Sequence, residues 1–195
     1  MIDCHEIISR DGQVSYYPEF LMPTQAAHYL TSLSTELSWR QETVTLFGKR
    51  YLTPRLVAWY GDPGLSYRYS GIEHVASGWS LSLDRLKQRL EKLTSLQFNS
   101  VLANLYRDGN DSMGWHADNE KVLGPNPSIA SVSLGQPRRF LFKHRTDKNR
   151  VELLLEPGSL LLMQGELQTH WLHSLPKQPQ ANQPRLNLTF RTIFA

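Results

Sequence analysis

The chain contains a single cysteine, Cys4, which excludes an internal disulfide. A reducing, cytoplasmic location is therefore expected. There is no run of about eighteen apolar residues, so the sequence predicts no membrane-spanning helix. The first residues lack the basic and then apolar regions of a signal peptide, and we expect no secretory leader.

Motifs of two large enzyme classes are also missing. The sequence has no Gly-x-Ser-x-Gly nucleophile elbow and no phosphate-binding P-loop. This argues against a serine hydrolase and against a P-loop nucleotide hydrolase. No internal repeat or low-complexity segment interrupts the chain, and 195 residues with 40% hydrophobic content predict one domain over residues 1–195. A monomer is the default expectation.

The net charge of +3 is modest, but basic side chains concentrate between Arg138 and Arg150, where Asp147 is the only acid. Such a stripe suits contact with nucleic-acid phosphates. It equally suits a hairpin whose charges face water. Charge alone leaves both interpretations open. The basic side chains are Arg138, Arg139, Lys143, His144, Arg145, Lys148 and Arg150.

Two segments have leucines at helical spacing and predict amphipathic helices over residues 24–37 and 82–93. Thr24 is the predicted N-cap of the first helix. Its predicted apolar face is Ala27, Leu30, Leu33 and Leu37. Residues 39–79 are rich in aromatics, glycine and proline, and predict hairpins and loops.

After Phe98 the pattern becomes strand-like, and several short strands at close spacing predict a jelly roll. The expected fold is therefore α+β and mainly β, a jelly-roll core with helices packed on one outer face. The predicted strands are residues 100–106, 129–134, 139–143, 151–155, 159–163, 169–174 and 186–193.

The last strand has polar side chains at every second position, which places Arg185, Asn187, Thr189 and Arg191 on one side. The same alternation places Asn104 and Tyr106 together on the strand 100–106. A polar strand face is usually exposed to water. Here it is also the lining that a barrel interior would need in order to hold a small dianion.

A histidine and a carboxylate two residues apart, His116 and Asp118, are followed much later by His170 and His173. Two imidazoles and one carboxylate suit Fe(II) with coordination positions left open. Zinc is the rival metal, although structural zinc sites usually use more histidine or cysteine. Spacing alone leaves His170 and His173 as equal candidates for the third ligand.

Eight motifs occur in order between residues 40 and 195: Phe47-Gly48-Lys49, Pro54-Arg55, Tyr60-Gly61-Asp62, Tyr67-Arg68-Tyr69-Ser70-Gly71, Asn104-Leu105-Tyr106, His116-Ala117-Asp118-Asn119-Glu120, His173-Ser174-Leu175-Pro176 and Arg185-x-Asn187-x-Thr189-Phe190-Arg191. Together they resemble the AlkB family of Fe(II)- and 2-oxoglutarate-dependent nucleic-acid dealkylases, and most resemble the branch acting on duplex DNA. The resemblance implies a single dioxygenase domain in which residues 40–79 form a lid for nucleotide recognition.

The resemblance also implies a role for each matching residue. His116, Asp118 and His173 would bind Fe(II). Six residues would bind 2-oxoglutarate, with the guanidiniums pairing with its carboxylates: Asn104, Tyr106, Arg185, Asn187, Thr189 and Arg191. The implied reaction uses O2 to demethylate bases such as 1-methyladenine and 3-methylcytosine in DNA, with RNA as a second candidate. It releases formaldehyde, succinate and carbon dioxide.

An alkylated base must leave the stack to be reached, and the resemblance assigns residues to that step. Tyr67 and Tyr69 would flank the flipped base, Phe47 would wedge into the gap, and Glu120 would accept a hydrogen bond from an exocyclic amine. Lys49 and Arg55 would bind phosphates. For the two tyrosines and Phe47 the alternative is ordinary core packing.

Two departures from the family pattern are Asn119, an amide directly after the metal-type aspartate, and the basic pair Arg138-Arg139. Either could change base choice or strand preference. A dioxygenase acting on a protein or a small molecule is the alternative enzyme, and a nucleic-acid-binding module with a lapsed metal site is the alternative without catalysis. The aromatic and basic segment from Phe47 to Tyr69 argues against the former, and the complete ligand set argues against the latter.

Overall fold

Antiparallel β-strands dominate the computed structural model, which describes residues 3–46, 48–69, 72–76 and 78–194. The first part of the chain forms β1 (His5–Ile8), β2 (Gln13–Tyr17), α1 (Pro23–Glu36), β3 (Thr43–Leu46), β4 (Lys49–Leu52), β5 (Leu56–Gly61), β6 (Ser66–Tyr69), β7 (Ile72–Val75) and α2 (Leu81–Thr94). The second part forms β8 (Ser100–Tyr106), β9 (Met113–His116), a 3-10 turn (Lys121–Leu123), β10 (Ile129–Gly135), β11 (Arg138–His144), β12 (Arg150–Leu155), β13 (Leu160–Gln164), α3 (Leu167–His170), β14 (Trp171–Leu175) and β15 (Arg185–Arg191).

Two sheets make up the core of the fold. The large sheet has seven strands in the order β1-β2-β13-β10-β15-β8-β5, and the small sheet has four in the order β12-β11-β14-β9. Strands β3 with β4 and β6 with β7 form separate hairpins on either side of β5. Because the strands of both sheets pair antiparallel and most partners are distant in sequence, the predicted jelly-roll fold is confirmed.

Strand β15 lies inside the large sheet, between β10 and β8, and all seven of its residues are buried. Its apolar side chains Leu186, Leu188 and Phe190 pack with leucines of α2 and with Leu33 of α1 in one core. Burial of a leucine side chain stabilises the fold by about 1.5–3 kcal/mol, so this layer fixes the helices on the outer face, as predicted. The polar side of β15 faces the space between the sheets, so it is an interior surface and not a solvent-exposed one.

The helix starts differ from the prediction. Helix α1 begins at Pro23, because proline fits the first helical position, and the Met22 N–H donates to Gln25 Oε1 at 3.1 Å. The predicted N-cap Thr24 is therefore wrong. Ala27 of the predicted apolar face is exposed, and Ala26 is buried instead. Helix α2 is capped by Ser80, whose Oγ accepts from the Leu83 N–H.

Residues 100–106 form β8 with the predicted bounds. The predicted strand 169–174 is wrong at its start, because residues 167–170 form the short helix α3. No helix formed by the described residues is long and apolar enough to cross a membrane.

The basic stripe between Arg138 and Arg150 is not one continuous surface. Arg138 is buried and its guanidinium donates to the backbone oxygens of Asp108, Asp111 and Pro176 at 2.9–3.0 Å. His144 is also buried. Arg139 is exposed but pairs with Glu152. Arg138 is thus part of the scaffold and is not available to phosphates.

Candidate metal and co-substrate site

Three side chains with metal-binding atoms converge between the two sheets. Strand pairing places His116, at the end of β9, directly opposite His173 on β14. Asp118 follows β9 and completes the group. Its Oδ1 lies 3.9 Å from His116 Nε2 and its Oδ2 lies 3.9 Å from His173 Nε2. One ligand atom from each residue lies within 4.8 Å of the other two, which is close enough for a shared ion.

The orientation of these ligands is fixed by neighbouring groups. His116 Nδ1 lies 2.8 Å from the Gly114 carbonyl oxygen. Because a carbonyl can only accept, Nδ1 carries the proton and Nε2 keeps its lone pair for a metal. The Asp118 backbone N–H donates to Oε1 of the buried Gln168 at 2.9 Å. Gln168 is a positioning residue that the sequence did not reveal, since it lies fifty residues from its partner.

Electrostatics keeps Asp118 and His173 in protonation states that suit a metal. Burial is the largest influence on the pKa of Asp118 and would raise it, but Arg191 and the two imidazoles outweigh burial and hold the pKa below its ordinary value. Arg191 Nη2 donates to Asp118 Oδ1 at 3.1 Å. Burial, together with the charges of His116 and Arg191, lowers the pKa of His173 to about 3. At neutral pH the site therefore offers a carboxylate and a neutral His173 imidazole.

Strands β8 and β15 supply the opposite wall of the same cavity, which has a volume of about 230 Å³. Their pairing brings Asn104 opposite Asn187 and Tyr106 opposite Arg185. Asn187 is held by hydrogen bonds from its Nδ2 to Ser131 Oγ and from Thr189 Oγ1 to its Oδ1. The cavity is lined by all nine residues predicted for the metal and 2-oxoglutarate: Asn104, Tyr106, His116, Asp118, His173, Arg185, Asn187, Thr189 and Arg191.

Arg185 is a buried cation on β15. Among the described residues no carboxylate lies within ion-pair distance of it, and its Nε has no hydrogen-bond partner. Its Nη2 donates to Ser133 Oγ at 2.9 Å, and its guanidinium lies 5.4 Å from the centroid of the Tyr106 ring. Burial lowers its pKa to about 10, opposed in part by Tyr106 and reinforced by Arg138, and the group stays protonated at neutral pH.

The residues present fit both groups that the sequence predicts. Two imidazoles and one carboxylate are the ligand set typical of non-haem Fe(II) with open coordination positions. The guanidinium of Arg185 faces the same cavity and suits a carboxylate of a small dianion. The assignment of His116, Asp118 and His173 to iron, and of the six residues on β8 and β15 to 2-oxoglutarate, remains a prediction that this geometry supports.

His170, the rival third ligand, lies elsewhere. It ends α3, where its Nε2 lies 3.6 Å from Glu166 Oε2, and it groups with Asp11 and His144. The pairing of His173 with His116 favours His173 in the choice that spacing left open between His170 and His173.

The residues predicted to bind substrate are only partly described. Glu120 lines the cavity, and its Oε1 lies 3.9 Å from Arg191 Nη1. Lys49 is exposed on β4. The backbones of Tyr67 and Tyr69 lie in β6, but their side chains fall outside the described part of the structure, and Phe47 lies outside the described residues altogether.

Arg55 requires a correction. It was predicted to bind a phosphate, but its side chain is buried, its Nε donates to Asn104 Oδ1 at 2.8 Å and it lines the cavity. A side chain at this depth is not available to the nucleic-acid backbone outside the cavity. Arg55 instead orients Asn104 and adds a further positive charge beside the predicted co-substrate position.

Comparison with known proteins agrees with this geometry. Residues 13–191 match the 2OG-Fe(II) oxygenase superfamily. The chain is 40% identical over 193 residues to human "Alpha-ketoglutarate-dependent dioxygenase alkB homolog 3", covering 94% of this chain and 67% of the relative. It is 42% identical over 159 residues to human "DNA oxidative demethylase ALKBH2", covering 77% of this chain and 61% of the relative.

A solved structure titled "The structure of OsALKBH1" superposes with a TM-score of 0.70 at 16% identity, covering 96% of this chain and 100% of the other, which shows that the fold is shared. The chain spans about two thirds of the human relatives that it matches. The family assignment rests on the superfamily match and on the two human relatives. The chain therefore belongs to the AlkB family of the 2OG-Fe(II) oxygenase superfamily, and it is a dioxygenase that uses Fe(II) and 2-oxoglutarate.

Proposed function

We propose that this enzyme oxidatively demethylates N-alkylated bases of the 1-methyladenine and 3-methylcytosine type in DNA, with RNA as a second substrate. The observation that carries the proposal is the cavity in which His116, Asp118 and His173 meet the buried guanidinium of Arg185, which has no acidic partner in the part of the chain that the structure describes. The name of the ALKBH2 relative, a DNA oxidative demethylase, supports the choice of substrate class.

In this proposal the residues of the chain bind the iron and 2-oxoglutarate, orient them and exclude water from the cavity. His116, Asp118 and His173 hold the iron. Arg185 and Arg191 pair with the carboxylates of 2-oxoglutarate, beside the amide of Asn104. Bound Fe(II) with its co-substrate supplies the oxidation of the N-methyl group, whose hydroxylated product releases formaldehyde. The walls of the cavity keep the reacting groups away from bulk water.

Recognition of the base is assigned to residues near the mouth of this cavity. Glu120 has the acceptor oxygens that an exocyclic amine requires, and it lines the cavity. Residues 40–79 are proposed to act as the lid, because their two hairpins flank β5, which pairs with β8 at the cavity wall. Within this lid, Tyr67 and Tyr69 are proposed to stack on the flipped base, Phe47 to fill the gap and Lys49 to contact a phosphate.

Partners beyond the nucleic acid are O2 and 2-oxoglutarate, and the enzyme is proposed to act as a monomer. The lone cysteine agrees with action in a reducing compartment, for which the cytoplasm is the proposal.

A panel of oligonucleotides tests the function. Single- and double-stranded DNA and RNA, each with one defined methylated base, are incubated with Fe(II) and 2-oxoglutarate, and the bases are analysed by mass spectrometry. We expect loss of the methyl group with an equal amount of formaldehyde, and no reaction with Asp118→Ala. Turnover of 2-oxoglutarate that no methylated oligonucleotide stimulates would instead favour a dioxygenase acting on a protein or a small molecule.

A further inference from the structure

A second group of metal-type side chains lies outside the cavity. Asp11 in the turn between β1 and β2, His144 at the end of β11 and His170 at the end of α3 each place one ligand atom within 4.8 Å of the other two. This is the same limit that the His116, Asp118 and His173 group meets. Asp11 Oδ2 lies 3.1 Å from His144 Nε2, which is closer than either carboxylate–imidazole distance of 3.9 Å in the first group.

The surroundings of His144 resemble those of a metal-binding histidine. Its Nε2 faces Asp11, while its Nδ1 lies 3.1 Å from Asp147 Oδ1. A carboxylate on the far nitrogen of a ligating imidazole fixes its tautomer and increases its basicity. Arg10 holds Asp147 in turn, with an Nη1–Oδ2 distance of 2.7 Å. The His144 ring is buried and packs edge-on against Trp171.

The turn that presents Asp11 is built to hold one conformation. Trp171 Nε1 donates to the Arg10 carbonyl at 3.1 Å. Asp11 has a φ of 53°, and Gly12 follows with a φ of 127°. A side chain on Gly12 would meet the Leu167 backbone at 2.5 Å, so the turn packs directly against α3. Because α3 also carries His170, the carboxylate and the second imidazole are held together before any ion arrives.

We propose that Asp11, His144 and His170 form a second divalent-cation site, suited to Zn²⁺, that joins the N-terminal hairpin to the small sheet. Tetrahedral Zn²⁺ with bonds of about 2.0–2.2 Å needs ligand atoms about 3.3–3.6 Å apart, which small side-chain rotations reach from the present distances. The half-exposed side chains of Asp11 and His170 leave an entry path from solvent, and water completes the coordination. Binding displaces the 3.2 Å contact of Arg10 Nε with Asp11.

The experiment measures Zn²⁺ binding directly, by competition with a chromogenic chelator on chelator-treated protein. In a His116→Ala, Asp118→Ala background, which removes the first group, we expect one equivalent of bound Zn²⁺. In the intact chain we expect two equivalents, falling to one with His170→Ala. This second measurement keeps the test decisive if the double variant does not fold, and circular dichroism verifies the fold of each variant.

Three substitutions separate a metal site from a charge network. Asp11→Asn keeps the shape and the left-handed backbone but removes the ligand charge, and it should weaken Zn²⁺ binding at least tenfold. Asp147→Asn should weaken it about ten- to hundredfold through His144. His5→Ala removes another histidine–carboxylate pair of the same hairpin, 2.8 Å from Asp3, and should change nothing. The proposal is overturned if Asp11→Asn and His170→Ala bind Zn²⁺ with unchanged stoichiometry and affinity. It is also overturned if the intact chain binds no second equivalent of Zn²⁺.

Discussion

The buried charge of Arg185 should make the protein less stable without its co-substrate, and Arg185→Met is the substitution that shows it. Methionine keeps most of the volume and removes the charge. In the ligand-free fold the guanidinium has no acidic partner among the described residues, and burial lowers its pKa to about 10. A fall of between two and three pKa units, at about 1.36 kcal/mol each, corresponds to roughly 3 kcal/mol of unfavourable free energy.

Removing the charge relieves this unfavourable free energy, but the substitution also removes the hydrogen bond from Arg185 Nη2 to Ser133 Oγ. Such a bond contributes about 1 kcal/mol net. We therefore expect Arg185→Met to raise the free energy of unfolding of the ligand-free protein by about 1–3 kcal/mol. For a chain of this size that corresponds to a Tm higher by roughly 2–4 °C for each kcal/mol.

The same substitution should weaken 2-oxoglutarate binding. Loss of one member of a buried, hydrogen-bonded charge pair costs about 2–5 kcal/mol, which is a Kd higher by about thirtyfold to several thousandfold. The assay is urea unfolding in the presence of a chelator and without 2-oxoglutarate, followed by calorimetric titration of 2-oxoglutarate with Mn²⁺ in place of iron.

Arg191→Met is the matched control, because Arg191 lies on the same strand and is also buried but pairs with Asp118 at 3.1 Å. Breaking a buried pair leaves the carboxylate uncompensated, and we expect a loss of about 3–5 kcal/mol in metal-free protein. The two arginines should thus act in opposite directions on stability and in the same direction on 2-oxoglutarate. If Arg185→Met destabilises the ligand-free protein as Arg191→Met does, the reasoning about its unpaired charge is refuted.

Three further predictions concern other residues. Burial would raise the pKa of Asp111, but hydrogen bonds from Arg107 outweigh it and hold the pKa below its ordinary value, so Asp111→Asn should cost about 1–3 kcal/mol near neutral pH. A carboxyl whose pKa is lower in the folded than in the unfolded chain stabilises the fold at pH values above the unfolded-state pKa, and this contribution is lost as the pH falls through the folded-state pKa. Urea unfolding should therefore show that the loss of stability caused by Asp111→Asn shrinks below about pH 4. A loss that stays the same in acid would contradict this. Gln168→Leu should raise the Kd for Fe(II) about ten- to hundredfold in an anaerobic titration, since it removes the acceptor for the Asp118 N–H, and an unchanged Kd would remove its positioning role. Phe47→Ala should reduce demethylation of duplexes more than of single strands, and equal losses on both would argue against the wedge.

Local patterns predicted much of the site. Alternation along the last strand places Arg185, Asn187, Thr189 and Arg191 on one side, and the structure puts that side against the cavity. His116 and Asp118 likewise converge with His173, and their role as metal ligands stays a prediction. The placement along β15 could be predicted because it depends on the two-residue period of a strand, which the order of residues fixes directly.

Features that depend on long-range contact were not predictable in this way. Arg55 has the composition of a phosphate contact, and only the packing of β5 against β8 shows that it turns inward to Asn104. Arg138 belongs by sequence to a basic surface stripe, yet its guanidinium donates hydrogen bonds to three backbone carbonyl oxygens that are distant in sequence. Gln168 and its partner Asp118 are joined only in the folded chain. The start of α1 was missed for a local reason, since proline at the first helical position outweighed the preference for a threonine cap.

Strand β9 is an edge strand of the small sheet, and among the described strands it pairs with β14 alone, across an irregular register. Edge strands with one neighbour open at lower free energy than central ones. His116 and the segment leading to Asp118 can therefore detach briefly while β15 and the seven-stranded sheet stay intact. We therefore expect fraying of residues 113–116 to let His116 release an ion while Asp118 stays held by Gln168 and Arg191, so that iron-depleted protein regains activity on reloading without refolding.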